Sequence, residues 1–183
     1  MTTLFWMSAA AIPALIILSA FFSGSETALT AASRARMLAM EKSGDKRAGI
    51  VGRLIQERER LIGALLLGNN LVNILASALA TSFFLALFGQ AGVVYATLAM
   101  TLIVLVFGEV LPKTLAIGDP DRFSRAIAPV VSVLVAVFSP VVAAVQFLVA
   151  GVLRLVGYNA AEGKSILSPV EEIRGQVDLL HAE

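Results

Sequence analysis

Val106-Phe-Gly-Glu-Val-Leu-Pro-Lys113 closes a run, Leu61 to Gly108, in which no residue is charged. A run of that length and apolarity belongs in a bilayer, and this stretch then carries the carboxylate of Glu109 to membrane depth. An ionisable group there costs about 2.5–3.5 kcal/mol on insertion scales, so it points to a functional site with a partner. Pro112 is a second sign. It has no N–H and its ring crowds the carbonyl four residues back, which predicts a free Gly108 backbone oxygen beside the Glu109 carboxylate. A Glu109–Lys113 ion pair at i,i+4 spacing on a kinked helix end is the alternative reading of the same residues.

The rest of the chain fits a membrane setting. Of its 183 residues 58% are hydrophobic and 15% charged, with mean hydropathy +0.87, whereas soluble domains average about 45–50% apolar and 25% charged. Cysteine is absent and the single histidine is His181, so disulfides, thiolate chemistry, zinc frameworks and Ser/His/Asp triads are excluded.

Charge divides the chain. Nothing before Glu26 is charged, nothing from Leu61 through Gly108, and nothing from Ala126 through Leu153. The first gap predicts a transmembrane helix over about 4–24, kinked at Pro13, and it lacks the basic n-region of a signal peptide. The second is about two spans long and breaks at Phe88-Gly-Gln-Ala-Gly92, which predicts helices over about 61–87 and 93–117. All fourteen Lys and Arg lie between Arg34 and Arg60 or from Lys113 onward. The positive-inside rule then puts the N-terminus outside and the C-terminus in the cytoplasm. The expected architecture is an all-α integral membrane protein, with three transmembrane helices and cytoplasmic-side juxtamembrane helices over about 33–60 and 120–157.

Gly44 and Gly49 divide the first juxtamembrane region into two short amphipathic helices. The third gap could span, but basic residues flank it on both sides, so it is expected to stay on the cytoplasmic side and bend at Pro140. Beyond Gly163 the chain turns polar. Ser168-Pro169-Val-Glu171 is a capping box that starts a helix running to about Leu180, within a cytoplasmic linker over 161–183.

Two further polar islands lie in the spans: Ser23-Gly-Ser-Glu26, and Gly68-Asn69-Asn70 with Asn73 one turn on. At about 1.5 Å per residue, Asn70 lies about 14 Å from the inner start of helix two and Glu109 about 24 Å from the outer start of helix three. These two can meet. Ser23 and Ser25 join them if the first helix tilts or unwinds at Gly24. Hydroxyls, an amide, a carbonyl and a carboxylate, without nitrogen or sulfur donors, suit a hard cation: Mg²⁺, Ca²⁺, Mn²⁺ or Na⁺.

SGSETALTA at 23–31, LLLGNNLVNILASALAT at 65–81 and FGEVLPKTLA at 107–116, in this order, resemble the transmembrane domain of the CNNM/CorC family of magnesium transporters. The resemblance implies a homodimer of three-helix units in the lipid bilayer, with a cytoplasmic belt. It also implies a following pair of cystathionine-β-synthase-type domains that bind ATP, for which this sequence has no site. Carried over residue by residue, it places Mg²⁺ on Ser23, Ser25, Asn70, Gly108 and Glu109, with Gly24, Glu26, Gly68, Asn69 and Pro112 shaping the site. The implied activity is Mg²⁺ export across the cell membrane, with the first helix moving against the other two at Gly24 and Gly68. A non-transporting magnesium sensor or scaffold, and a sodium-coupled transporter of another divalent cation, are the alternatives. An intramembrane enzyme lacks a second catalytic group, and nothing points to nucleic acid.

Overall fold

A computed structural model of the protein describes residues 2–155; the expected linker and its capping box at 161–183 lie outside them. The described elements are α1 (Thr2–Ala31), α2 (Arg34–Lys42), α3 (Lys46–Gln56) and α4 (Arg58–Phe88), a 3₁₀ turn (Gly89–Ala91), then α5 (Gly92–Ile103), a π-helical segment (Val104–Val110), α6 (Leu111–Gly118) and α7 (Pro120–Leu155). No strand occurs among the described residues. Three stretches are long and apolar enough to cross a membrane, Ala9–Ala31, Arg58–Gly118 and Pro120–Leu155. The middle one doubles back at Gly89–Ala91, so it holds two of the transmembrane helices, α4 and the α5–α6 run.

The reversal depends on two glycines. Gly89 sits at φ 59°, in the left-handed region. At Gly92 a Cβ would run into the backbone carbonyl of Phe84, so only glycine lets α5 start this close to the end of α4. The hairpin is bolted by Phe84, Phe88 and Tyr95, whose rings pack in sequence at 5.9 and 5.3 Å, the second pair edge to face.

Lipid is as apolar as leucine, so the helices associate by close packing rather than by escape from water. Accordingly, α4 turns a stripe of small residues inward, Ala64, Gly68, Val72, Ala76 and Ala80, spaced one turn apart. Gly68 admits the ring of Phe22, which a Cβ at that position would strike. Outward-facing positions are large and apolar, as with Ile17 at 72% and Leu98 at 63% exposure. Two buried apolar clusters result. One joins Ile16 to Ala76, Ala80 and Met100; the other joins Phe22 and Leu29 to α2, α3, the start of α4 and α7.

The juxtamembrane region is two helices, as Gly44 leads one to expect: it takes φ 101° in the turn after α2. Gly49 instead lies inside α3, against the Glu41 side chain. Both helices are stitched to α7. Asp121 accepts the Ser33 backbone N–H at 3.0 Å and pairs with Arg36 at 2.6 Å. Asp45 caps α3 and accepts from Arg125 at 2.8 Å, and that hydrogen bond holds its carboxyl below the usual carboxylate range.

The long helices run on past their prolines and glycines. α1 remains helical through Pro13 and Gly24 and continues to Ala31, and α4 remains helical through Gly68, so neither glycine interrupts its helix. α7 is helical across both Pro129 and Pro140. Its residues up to Val142 belong to the same compact unit as α1–α6, with Ser124, Ala128, Val131, Val135 and Val142 forming its buried stripe. The remainder of α7 belongs to a second unit, and its apolar side chains, such as Phe147, are exposed.

Candidate functional site

The polar residues of the spans gather between the two apolar clusters. On α1 they are Ser19 and Ser23, flanked by Ile16 and Phe22; on α4 the key residue is Asn69, between Leu65 and Ala76. Glu109 faces both from the π-helical segment. Its Oε2 accepts the Ser23 hydroxyl at 3.0 Å and its Oε1 accepts the Asn69 Nδ2 at 2.7 Å. One carboxylate thus ties three helices. Lys113, one turn on, places Nζ 3.1 Å from Oε2, so the ion pair read as an alternative in the sequence is formed as well.

The π segment is what aims Glu109. Its wider turn closes hydrogen bonds five residues back, and Leu111 N–H accordingly reaches the Val106 carbonyl. Pro112 follows in the first turn of α6 and has no N–H to give to the turn that carries Glu109. Gly108 is buried, and a Cβ there would stand 2.9 Å from Ser19 Oγ. Only glycine lets this segment lie so near α1.

Ser19 was not singled out in the sequence. It is fully buried, and its hydroxyl donates to Asn69 Oδ1 at 3.0 Å, which leaves the amide's Nδ2 for Glu109. Asn73 adds a longer donation to the same Oδ1, at 3.4 Å.

Of the residues expected to hold a cation, Ser23 and Glu109 are in contact, and Gly108 lies beside them on the π segment. Ser25 is buried and its hydroxyl oxygen has no hydrogen-bond partner. Asn70 is exposed and makes none of the site's hydrogen bonds; Asn69, expected only to shape the site, is the amide on Glu109. Among the other shaping residues, Gly24 packs against Pro112 and Phe123, and Gly68 accommodates Phe22. Pro112 is buried, and Glu26 is half-buried. No cluster of three or more His, Cys, Asp or Glu that could hold a metal occurs among the described residues. A cation here would meet one carboxylate and neutral oxygens, a donor set for hard ions.

Comparison with known proteins gives a consistent picture. A family model described as "Cyclin M transmembrane N-terminal domain" (CNNM) matches residues 10–183. The chain is 41% identical over 140 residues to the UPF0053 inner membrane protein YfjD of Escherichia coli, covering 76% of this chain and 33% of that one. It is 35% identical over 162 residues to a UPF0053 protein of Haemophilus influenzae, covering 88% and 38%. A DUF21 domain-containing chloroplastic protein of Arabidopsis thaliana is 36% identical over 145 residues, covering 78% and 22%. The chain thus spans about a third of the length of the two bacterial relatives.

Proposed function

This chain belongs to the CNNM transmembrane domain family, and on that premise we propose that it carries Mg²⁺ across the cell membrane, outward from the cytoplasm, through the site at Glu109. The observation that carries the reading is the convergence on one membrane-depth carboxylate of a hydroxyl from α1 and an amide from α4, with the partnerless Ser25 hydroxyl nearby in sequence. Glu109 supplies the charge that compensates for a dehydrated divalent ion. Ser23, Ser25 and the backbone around Gly108 remain the proposed oxygen ligands, with Asn69 as an orienting amide.

Lys113 fits this role rather than opposing it. A buried carboxylate left alone between loads would be costly, and the ammonium at 3.1 Å neutralises it. An arriving cation displaces Lys113, and its departure restores the pair, so the site keeps a countercharge at each stage. The basic residues of 34–60 and 113 onward support a cytoplasmic belt, with the N-terminus outside, and α7 lying on the cytoplasmic side. A homodimer in the lipid bilayer, with ATP acting only through regions outside this sequence, completes the proposal, which assigns no enzymatic step.

Flux into liposomes separates transport from sensing. The reconstituted protein should move Mg²⁺ down an imposed gradient and Glu109→Gln should not. Saturable Mg²⁺ binding without flux would instead make the protein a sensor.

A further inference from the structure

Between α4 and α5 runs a groove of about 400 Å³ that has Glu109 at one end. Ala96, Met100, Val104 and Leu105 make much of its wall apolar, but a ladder of polar groups runs along it: Asn73, Ser77 and Thr81 follow one another turn by turn on α4, opposite Thr97 and Thr101 on α5. From Asn73 to Thr81 the ladder climbs about 12 Å at the helical rise, away from the belt and toward the Gly89–Ala91 turn.

The threonine hydroxyls bond back to their own helices. Thr81 donates to the Ser77 carbonyl at 2.8 Å, Thr97 to Val93 at 2.8 Å and Thr101 to Thr97 at 2.7 Å. Each proton is thereby committed to its own helix, and what each threonine turns to the groove is oxygen lone pairs. Asn73 Oδ1 is buried and without a hydrogen-bond partner, at the Glu109 end. An anion would find no donors along the threonines, whereas a cation with part of its hydration shell would find acceptors at each turn.

We propose that this hydroxyl-lined groove is the half of the cation path between Glu109 and the Gly89–Ala91 turn, taking a partly hydrated divalent ion on the side of the site away from the belt. The proposal rests on the reading of Glu109 as the cation site.

Because the sequence has no cysteine, single thiols report on the groove without background. Ser77→Cys and Thr97→Cys, reconstituted in liposomes, are treated with a cationic, membrane-impermeant thiosulfonate; Leu98→Cys, on the outward face at 63% exposure, is the control. The groove thiols should react and the control should not, with Mg²⁺ flux falling about tenfold or more once a fixed positive charge stands in the path. Thr97→Val/Thr101→Val should lower flux while Mg²⁺-dependent thermal stabilisation persists, a readout that a misfolded variant would lose. Inert groove thiols, or full labelling with unchanged flux, overturn the groove while leaving Glu109 untouched. Absence of Mg²⁺ binding in the wild-type protein overturns the Glu109 reading, and with it the ion assigned to the groove.

Discussion

At Ser19 a buried hydroxyl donates to Asn69 Oδ1, and the amide so fixed presents its Nδ2 to Glu109. Ser19→Ala leaves that carbonyl oxygen with only the long contact to Asn73. Leaving a buried acceptor unsatisfied costs about 1–3 kcal/mol, so the melting temperature in detergent should fall. The Asn69 amide also loses the bond that fixes its plane, so its donation to Glu109 loosens and Mg²⁺ affinity should fall with it. Unchanged affinity in a titration of Ser19→Ala would mean that Asn69 is held by packing alone. Residue choice is also where sequence reading reached its limit. Glu109 stood out because a charge at the end of an apolar run is rare, but the adjacent Asn69 and Asn70 differ only in helical phase. The missing signal was Leu66–Asn70–Ile74, a one-turn series of exposed positions, set against the buried stripe through Ala64, Gly68 and Val72. It assigns Asn70 to the outward side of α4. Ser19 offered no signal, because a lone serine in an apolar helix carries no phase of its own.

Among the elements, the α5–π–α6 run matters most, since its π register sets the direction in which Glu109 leaves the helix. Gly108 and Pro112 marked the place in the sequence, but a hydrogen-bond register is set by contacts across helices, here Ser19 against Gly108, and composition does not record it. The spans, by contrast, were legible, because the charge gaps depend only on which residues tolerate lipid. Their ends were less so. α1 runs seven residues past the expected boundary at 24, to Ala31, because Ser23 to Glu26 lie inside the helix rather than at its cap. That extension lets Ser23 reach Glu109 without unwinding at Gly24. The α4–α5 hairpin gives a prediction at this scale. Gly92→Ala sets a Cβ against the Phe84 backbone, which cannot rotate aside, and overpacking of this kind costs about 1–3 kcal/mol. A fall in melting temperature should follow, with Mg²⁺ affinity per folded molecule retained; a melting temperature equal to that of the wild type would mean the turn can open.

For the molecule as a whole, the ties between the short helices and α7 join the juxtamembrane helices to one another. Asp45 bridges α3 and α7 through Arg125, and its carboxyl titrates below the ordinary range. A depressed folded value contributes stability at pH above the unfolded carboxylate pKa of about 3.9, and that contribution is lost as pH falls through the folded value. The melting-temperature gap between wild type and Asp45→Asn should therefore be open at neutral pH and close in acid; a gap independent of pH would leave the pairing without effect. The central claim is that the carboxylate binding Ser23, Asn69 and Lys113 is the cation site, and calorimetric titration with Mg²⁺ tests it most directly. Glu109→Gln keeps the shape and most of the hydrogen bonds but loses the charge. The wild-type protein should bind Mg²⁺ saturably while a folded Glu109→Gln variant binds none; equal affinity in the two would contradict the assignment.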